Sequence, residues 1–578
     1  MSRLRTASDA VMSALPRSAA RRIALGWAAA TLVLVAATAP AQGIGRDEGV
    51  YVQAAESYAA FWCELVRAPV RALGELDRRF AVNSEHPALA KELYGVTHAL
   101  LAGALGVTSH LEGFRFGAFL VAAALSWLLA TAGFELAGAG GALLAPALFW
   151  TVPRHFYHAH PAALDLPISA LWLATALAYW RSLRADEPRR ARAHGIAAGL
   201  LFGAAVAVKH NGWFLPPLLA VHWLATRLPS LARATWRERA RAVPIAFPAM
   251  AVLGPLIFLA TWPWLWRDTL PRLREYLAFH LQHENYSWHY LGTILREPPF
   301  PIAYPFVVTA LTVPAAVLFL YAAGLLHGLA RLGISLRAAL HGEQARAGGT
   351  PSAGAPSASD ELFLLLNALF PIALIAWPTV PVFGGVKHWL PAMPFLALLG
   401  ARALVAAGRV LWPQRAWQVT ATLALFALAP AVRAVAHVHP YGTAAYNELA
   451  GGAAGAATLG MQRQFWGDDV VGLLSDLNAH AVPNARVWWQ ETAHGAVRAW
   501  QRDGRVRPDL RWASGPDDAD VSIWHYHQEF RDKEFRTWTA FAEPPRPGEP
   551  ARLPRPVAGL YLDEVPLVTI YARPGAWR

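Results

Sequence analysis

Two adjacent carboxylates follow closely on the first long apolar run of the chain. Asp47 and Glu48 stand in the segment Gly45–Tyr51, shortly after an apolar run that ends at residue 41. A carboxylate at the partly desolvated mouth of a site can serve as a general base, because it can take the proton of an attacking hydroxyl. The plainer interpretation is an interfacial acidic pair that is exposed to water or bonded to Arg46. The residue types alone leave both interpretations open.

A second motif reads Glu85-His86-Pro87-Ala88-Leu89-Ala90-Lys91. Pro87 stands just before a helix-like run, so Glu85 and His86 are expected at a helix N-terminus, where backbone N–H groups favour anions. The segment could therefore hold a phosphate. It could equally do no more than cap the helix.

Residues 154–165 combine an arginine, three histidines and an acid. His158 and His160 with Asp165 could bind a divalent metal, although their spacing matches no established ligand pattern. Donation by Arg154 and the histidines to an anionic substrate is the interpretation that we favour. Asp165 stands at the start of an apolar run and could instead be a helix N-cap.

Three further clusters place cations or imidazoles at the ends of apolar runs. They are Lys209-His210-Asn211, the run 279–290 with His283, and the segment 384–389 with Lys387 and His388. Each cluster alone could anchor the chain at a membrane interface. Together with the carboxylates they suit a lipid-linked phosphate: cations hold the phosphate, aromatic side chains face a sugar and an acid activates an incoming hydroxyl.

The composition indicates a membrane protein. Of the 578 residues 55% are hydrophobic and 16% are charged, and the mean hydropathy is +0.28. These values exclude a disordered chain and an ordinary soluble globular protein. The net charge is +12, but a chain that is 55% hydrophobic has few residues left for the extended basic faces of nucleic-acid-binding proteins. No nucleic-acid partner is therefore expected. Cys63 is the single cysteine, which excludes an intramolecular disulfide and a cysteine-based metal site.

Long apolar runs predict about eleven membrane spans. The first run follows several arginines, so residues 1–22 are expected to be cytoplasmic; a cleaved signal peptide ending near residue 41 is the alternative. The predicted spans are 23–41, 114–136, 139–152, 163–180, 195–208, 212–226, 244–264, 303–326, 361–378, 389–407 and 417–432.

The distribution of arginine orients these spans. A weaker apolar run, Ala88–Val107, contains Lys91, Glu92 and His98, and counting it as a span would move every arginine-rich connection after it to the outside. The positive-inside rule therefore favours a segment that does not cross. The loop 42–113 and the tail then lie outside, and a low-complexity linker, 342–359, lies in the cytoplasm and is typical of disorder.

Two segments outside the spans have their own patterns. Residues 59–82 place apolar side chains on one helical face, which predicts an amphipathic helix at the membrane interface or packed on the bundle. In the tail 433–578, helix-like stretches (469–480, 492–502) alternate with strand-like ones that start near residues 485, 520 and 565. We therefore expect a mainly α, polytopic helical bundle (23–432) with a small extracytoplasmic α/β domain (433–578).

These motifs, in this order and on one side of the membrane, resemble the GT-C membrane glycosyltransferases, in particular glycosyltransferase family 39 and its relatives that transfer aminoarabinose to lipid A. The resemblance rests on Asp47-Glu48, on the 85–91 segment that is similar to the family's HPPL or KPPL sequence, on Asp165 after its histidine-rich turn, and on Lys387-His388. It covers most of residues 23–432. Ala88 replaces the second proline of HPPL, so the geometry of that turn departs from the family's pattern.

The resemblance implies inverting transfer of a sugar from a polyprenyl-phosphate donor to a glycan, lipid or protein acceptor, at the outer face of a bacterial inner membrane. It implies that Asp47 is the base and that Glu48 and Asp165 line the site. Contacts to the donor are then expected from Glu85, His86, Lys91, Arg154, His158, Lys209, His283, Lys387 and His388. Some relatives hold a divalent metal; the histidines here permit one without requiring it. A transporter or flippase of lipid-linked sugar is the alternative function, in which the same charges line a translocation path.

Overall fold

The computed structural model describes residues 17–340, 357–542 and 553–578. Most of the predicted cytoplasmic N-terminus (1–22) and of the predicted linker (342–359) lie outside the described residues. Helices dominate and are numbered here in chain order. They are α1 (Arg17–Thr38), α2 (Arg46–Arg67), α3 (Pro69–Gly74), α4 (Leu76–Phe80), α5 (Leu89–His98), α6 (His110–Trp150), α7 (Pro153–His158), α8 (Asp165–Arg184), α9 (Pro188–Val206), α10 (Leu215–Arg233), α11 (Trp236–Ala242), α12 (Ala246–Ala260), α13 (Thr269–Leu281), α14 (Tyr304–Thr312), α15 (Ala315–Leu340), α16 (Ala358–Ile375), α17 (Met393–Leu411), α18 (Ala416–Val438), α19 (Gly452–Thr458), α20 (Leu474–His480), α21 (His494–Arg502) and α22 (Arg531–Phe541).

All the predicted apolar runs fall on helices. The runs 114–136 and 139–152 share α6, which is broken at Ala137–Gly138, where Gly138 has a φ of 66°. Among the described residues six helices are long and apolar enough to cross a membrane, or seven if the bent pair α11–α12 forms one span. The chain is therefore a multi-pass membrane protein. Three of the eleven predicted spans, 163–180, 195–208 and 212–226, are not among these helices, and neither is the segment 88–107.

Small residues bring the helices of the bundle together. Helix α1 packs against α6, and α9 packs against α12. A Cβ atom on Gly199 of α9 would lie 2.7 Å from the Ala249 side chain of α12, so only glycine permits this approach. Within lipid, where burial of apolar surface gives little driving force, such close packing stabilises helix pairs.

The predicted single amphipathic helix at 59–82 is wrong. Three helices, α2, α3 and α4, replace it, and the first break precedes Pro69, which cannot continue the hydrogen-bond ladder of a helix. The expected apolar face is consequently divided. Phe80 is fully buried, whereas the side chain of Val66 is largely exposed.

The predicted α/β region in the tail is confirmed. A hairpin between α13 and α14 consists of β1 (Trp288–Tyr290) and β2 (Thr293–Leu295), and the strands of the tail are β3 (Arg486–Trp489), β4 (Arg511–Trp512), β5 (Val521–His525), β6 (Ala558–Leu562) and β7 (Val565–Ala572). The sheet of the tail has the order β4-β3-β5-β7-β6. Strand β3 pairs in parallel with β4 and β5, and β7 pairs antiparallel with β5 and β6.

Several contacts join the tail to the bundle. The side-chain amide of Asn447 donates to the carbonyl oxygens of Ala310 and Val313, which end α14. Helix α21 packs on α2, where a Cβ atom on Gly495 would lie 2.7 Å from the carbonyl oxygen of Gly49. These contacts bring the C-terminal domain against the helix that carries Asp47.

Candidate functional site

A cavity of about 800 Å³ lies between the ends of several helices, the connections that join these helices, and the C-terminal domain. Eight of the predicted site residues line it: Asp47, Glu85, His86, Asp165, Lys209, His283, Lys387 and His388. Helices α8 and α16 reach the cavity at one end and carry charges at the other, where Arg184 pairs with Asp360 at 2.6 Å. The arginine-rich connection after α8 and the cavity are therefore at opposite ends of the bundle.

Asp47 lies in the first turn of α2, the position at which a helix dipole favours a carboxylate. Its Oδ2 accepts a hydrogen bond from Lys387 Nζ at 3.1 Å. The Asp47 side chain is 30% exposed and that of Lys387 only 7%, so the carboxylate faces the cavity from a partly shielded position. A carboxylate placed in this way can accept a proton and is held in place by its cationic partner.

The turn before Lys387 depends on glycine. Gly384 and Gly385 have φ values of 66° and 57°, and a Cβ atom on Gly384 would collide with the Lys387 side chain. The lysine Nζ then reaches over the rings of Trp466 and Phe383, at 4.8 and 5.1 Å from their centres. The two aromatic faces add cation–π attraction to the ion pair with Asp47.

Trp466 joins the C-terminal segment to the site, which the sequence did not reveal. Its carbonyl oxygen accepts a hydrogen bond from the backbone N–H of Arg46 at 2.8 Å, and its backbone has a φ of 78°. The residue thus fixes the N-terminus of α2 and, through its ring, the position of Lys387. The tail segment around Trp466 carries no motif that would have assigned it this place.

Glu48 does not line the cavity, contrary to its expected place. Its two carboxylate oxygens each accept a hydrogen bond from the Arg115 guanidinium at 2.7 Å, and the side chains of both residues are 1% exposed. Glu48 also accepts from the backbone N–H of Ala162 at 2.9 Å. Successive helical residues point about 100° apart. On α2 the residues Arg46, Asp47, Val50 and Tyr51 line the cavity, whereas Glu48 lies on the side that packs against Arg115.

A second lysine–carboxylate pair lies in the cavity wall. Lys209 Nζ donates to Asp165 Oδ1 at 2.7 Å, and both side chains are at least nine-tenths buried. Lys209 precedes a 3-10 helix, His210–Phe214, and Asp165 begins α8. With Lys387, this pair places two ammonium groups in one largely buried cavity.

Four imidazoles surround these cations. His86, His210, His280 and His388 line the cavity, and one ring nitrogen of each has no hydrogen-bond partner in the described part of the chain. Burial lowers the pKa of all four rings below the usual value for histidine. They are therefore neutral near pH 7, and each neutral ring has one N–H donor and one acceptor nitrogen. In His280 the donor is Nδ1, which bonds the carbonyl oxygen of Tyr276 at 2.8 Å, so the unpartnered Nε2 is an acceptor. The sequence clusters contained His210 and His280, but nothing singled them out from their neighbours.

Three predicted contact residues lie behind the cavity wall instead of in it. Lys91 Nζ donates to the carbonyl oxygens of Asn83 and His86, each at 2.9 Å, and so holds the turn that presents His86. Burial lowers the pKa of Lys91 to about 7. Arg154 lies 5.0 Å from the centre of the Tyr446 ring, and His158 packs edge-on against Trp466. These three positions support the wall.

The described residues contain no group of three or more histidine, cysteine, aspartate or glutamate side chains that could hold a metal ion. His158 and Asp165, two of the predicted ligands, are both buried. His160, the third, instead lies with its Nε2 2.8 Å from the Thr38 hydroxyl. The arrangement that the sequence permitted for a divalent metal is therefore not formed by these side chains.

Neither a family model nor a curated protein matches this sequence. Among solved structures, the chain is similar to ArnT from Cupriavidus metallidurans, both bound to undecaprenyl phosphate (14% identity, TM-score 0.48) and in the apo state (13% identity, TM-score 0.49). Each comparison covers 94% of this chain and 97% of ArnT. It is also similar to the Archaeoglobus fulgidus oligosaccharyltransferase, at 14% identity and a TM-score of 0.44, over 71% of this chain and 55% of that one. At these values the likeness is distant, and the function of the chain is argued from its own residues.

Proposed function

We propose that the chain is a membrane glycosyltransferase that takes a sugar from a polyprenyl-phosphate donor and transfers it, with inversion, to an acceptor hydroxyl. One observation carries the proposal: Asp47 and two ammonium groups, those of Lys209 and Lys387, share one cavity at the ends of apolar helices. A base and a cationic phosphate site in one cavity are what such a transfer requires.

The reaction has a defined proton and electron balance. The acceptor hydroxyl oxygen attacks the anomeric carbon of the sugar, and its proton passes to the Asp47 carboxylate. The bond between the anomeric carbon and the phosphate oxygen breaks, and the electron pair leaves with the polyprenyl phosphate. Attack opposite to the leaving group inverts the anomeric centre.

The lysines stabilise the charge that develops on the leaving phosphate. Charge-assisted hydrogen bonds from Lys387 and Lys209 are stronger than neutral ones, and a buried cavity weakens them less than water does. The neutral imidazoles, among them His86 and His388, add donors without adding net charge. In this scheme, the sugar lies between the phosphate and Asp47.

The position of the cavity suits a lipid donor. The polyprenyl chain would lie along the apolar surface of neighbouring spans while its phosphate enters the cavity, so membrane lipids surround the donor. The arginine-rich connection after α8 lies at the opposite end of the bundle from the cavity. By the positive-inside rule, this supports a cavity and a C-terminal domain that lie outside the cytoplasm. In this proposal the membrane is the bacterial inner membrane.

The test is transfer of labelled sugar from bacterial polyprenyl-phosphate sugars to a mixed envelope acceptor fraction. Purified full-length protein in nanodiscs is compared with Asp47→Asn and with Asp268→Asn. Asp268 is the matched control, because its side chain is 72% exposed and it does not line the cavity.

Transfer by the wild type and Asp268→Asn, with loss in Asp47→Asn and retained binding of undecaprenyl phosphate, supports the proposal. Equal transfer by all three proteins would show that Asp47 is not the base. Donor binding without transfer by the wild type would overturn the transferase and favour a flippase or a binding protein.

A further inference from the structure

The C-terminal domain forms one part of the cavity wall. Glu491, His527, Glu529 and Phe530 line it, far along the chain from the membrane helices. Glu491 is engaged by two cations, with Arg46 at 3.4 Å and Lys533 at 3.3 Å. His527 and Glu529 have a different environment, which the transfer scheme above leaves without a role.

His527 and Glu529 form a buried imidazole–carboxylate pair. His527 Nδ1 lies 3.1 Å from Glu529 Oε1, and the side chains are 7% and 3% exposed. The second ring nitrogen, Nε2, and the second carboxylate oxygen, Oε2, are both buried and have no hydrogen-bond partner among the residues that the structure describes. Buried polar atoms in folded proteins are nearly always paired, so unpartnered atoms on two hydrogen-bonded residues that both line a cavity indicate a ligand.

A third residue holds this pair in position. Gln462 Nε2 donates to Glu529 Oε1 at 2.9 Å, and Gln462 Oε1 accepts from the backbone N–H of His289 in β1 at 3.0 Å. The pair is thereby fixed to the β1–β2 hairpin and to the segment before Trp466. On its other side, the His527 ring stacks on Phe530 at 5.7 Å. The unpartnered atoms are therefore preorganised.

The chemistry of the two atoms selects the ligand. When the ring of His527 carries its one hydrogen on Nδ1 and donates it to Glu529, Nε2 is an acceptor, and Glu529 Oε2 is also an acceptor. A ligand that pairs with both must bring two donors, as adjacent sugar hydroxyls do. A phosphate group ionised at neutral pH offers acceptors only and would be repelled by the Glu529 carboxylate.

Aromatic side chains also line the cavity. Trp288 of β1, Phe465 and Phe530 all line it, and the Trp288 and Phe465 rings are 5.5 Å apart. Rings of this kind pack against the apolar faces of sugars while polar side chains bind the hydroxyls.

We propose that His527, Glu529 and these aromatic side chains form the acceptor subsite, and that it binds an uncharged glycan through adjacent hydroxyls. The inference rests on the proposed function, and it separates the cavity into a cationic donor end and an acceptor end that belongs to the C-terminal domain. Asp47 remains the base; His527 and Glu529 bind and orient the acceptor.

The test measures how transfer depends on acceptor and on donor separately. The full chain in nanodiscs receives labelled bacterial polyprenyl-phosphate sugars and an envelope acceptor fraction that is divided by anion exchange into uncharged and anionic pools. The variants are His527→Gln and Glu529→Gln. His437→Gln is the matched control, because His437 also pairs with a carboxylate, Asp563, at 2.8 Å but on the exposed surface.

Label should enter the uncharged pool. In His527→Gln and Glu529→Gln the amount of that pool needed for half-maximal transfer should rise about tenfold. The donor concentration for half-maximal transfer and the affinity for undecaprenyl phosphate should stay within twofold of the wild-type values. Retained donor binding also shows that the variants are folded. His437→Gln should match the wild type in every measurement.

Label confined to the anionic pool would overturn the inference. So would an unchanged dependence on acceptor in both variants, or a loss of donor binding equal to the loss of transfer. Absence of any transfer by the wild type would overturn the proposed transferase itself, and the acceptor subsite with it.

Discussion

Lys387 Nζ lies 3.1 Å from Asp47 Oδ2, although 340 residues separate the two in the chain. The pair is completed from a third part of the chain, since the Trp466 ring lies 4.8 Å below the ammonium group and the Trp466 carbonyl holds the N-terminus of α2. The proposed base, its cationic partner and their support therefore come from three segments that only the folded chain brings together.

Removing the Lys387 ammonium should impair turnover more than folding. In Lys387→Met, transfer at saturating donor should fall about 10²-fold or more, because a donor that stabilises developing charge is lost. Arg190→Met is the control, since Arg190 is exposed, pairs with Glu187 and does not line the cavity. Steady-state kinetics in nanodiscs measures both variants. Turnover of Lys387→Met within threefold of the wild type would contradict this role.

Glu48 should matter for stability instead of chemistry. Glu48→Gln leaves the Arg115 guanidinium buried without its charge partner, which should lower the free energy of unfolding by about 3 kcal/mol. Glu56→Gln removes the exposed pair with Arg502 and should cost less than about 1 kcal/mol. Thermal unfolding in detergent measures the difference. A fully stable but inactive Glu48→Gln protein would instead return Glu48 to the catalytic site.

Docking of the C-terminal domain should depend on Gly495. A Cβ atom there would meet the Gly49 carbonyl oxygen at 2.7 Å, so Gly495→Ala must move α21 away from α2. We expect faster proteolysis between the bundle and the C-terminal domain, and weaker transfer because the cavity loses part of its wall. Gly74→Ala is the control, since no atom lies within 4 Å of its Cβ position. Identical proteolysis of the two variants would show that this contact does not hold the domain.

The buried imidazoles should make stability fall in mild acid. Burial lowers the pKa of His86, His280 and His388, whereas the same residues in the unfolded chain have a pKa of about 6.5. Between these values the unfolded state binds more protons, so the stability present above about pH 6.5 is lost as the pH falls toward the folded pKa. A tenfold difference in proton affinity between the folded and unfolded states corresponds to about 1.4 kcal/mol of stability.

Thermal unfolding from pH 8 to pH 5 measures this effect. Variants such as His280→Gln should flatten the profile below pH 6.5, because they remove one buried imidazole. A wild-type melting temperature that does not change over this range would contradict the expected titration.

Local patterns in the sequence predicted the elements of this fold. Apolar runs such as 417–432 became helices, and stretches such as 565–572 became strands, because hydrophobic periodicity and span length act over a few neighbouring residues. The prediction of one helix for 59–82 was wrong. Apolar residues recur there at helical spacing, but Pro69 breaks the helix.

The sequence also determined which residue types could do chemistry and, through the arginine-rich connections, which end of the bundle they occupy. The tertiary structure alone decided which of them meet. Asp47 faces the cavity while its neighbour Glu48 is buried against Arg115, a choice fixed by the rotation of α2 against α6. Trp466, His527 and Glu529 reach the cavity only because the C-terminal domain packs on α2, since contacts across hundreds of residues arise from packing and leave no local pattern.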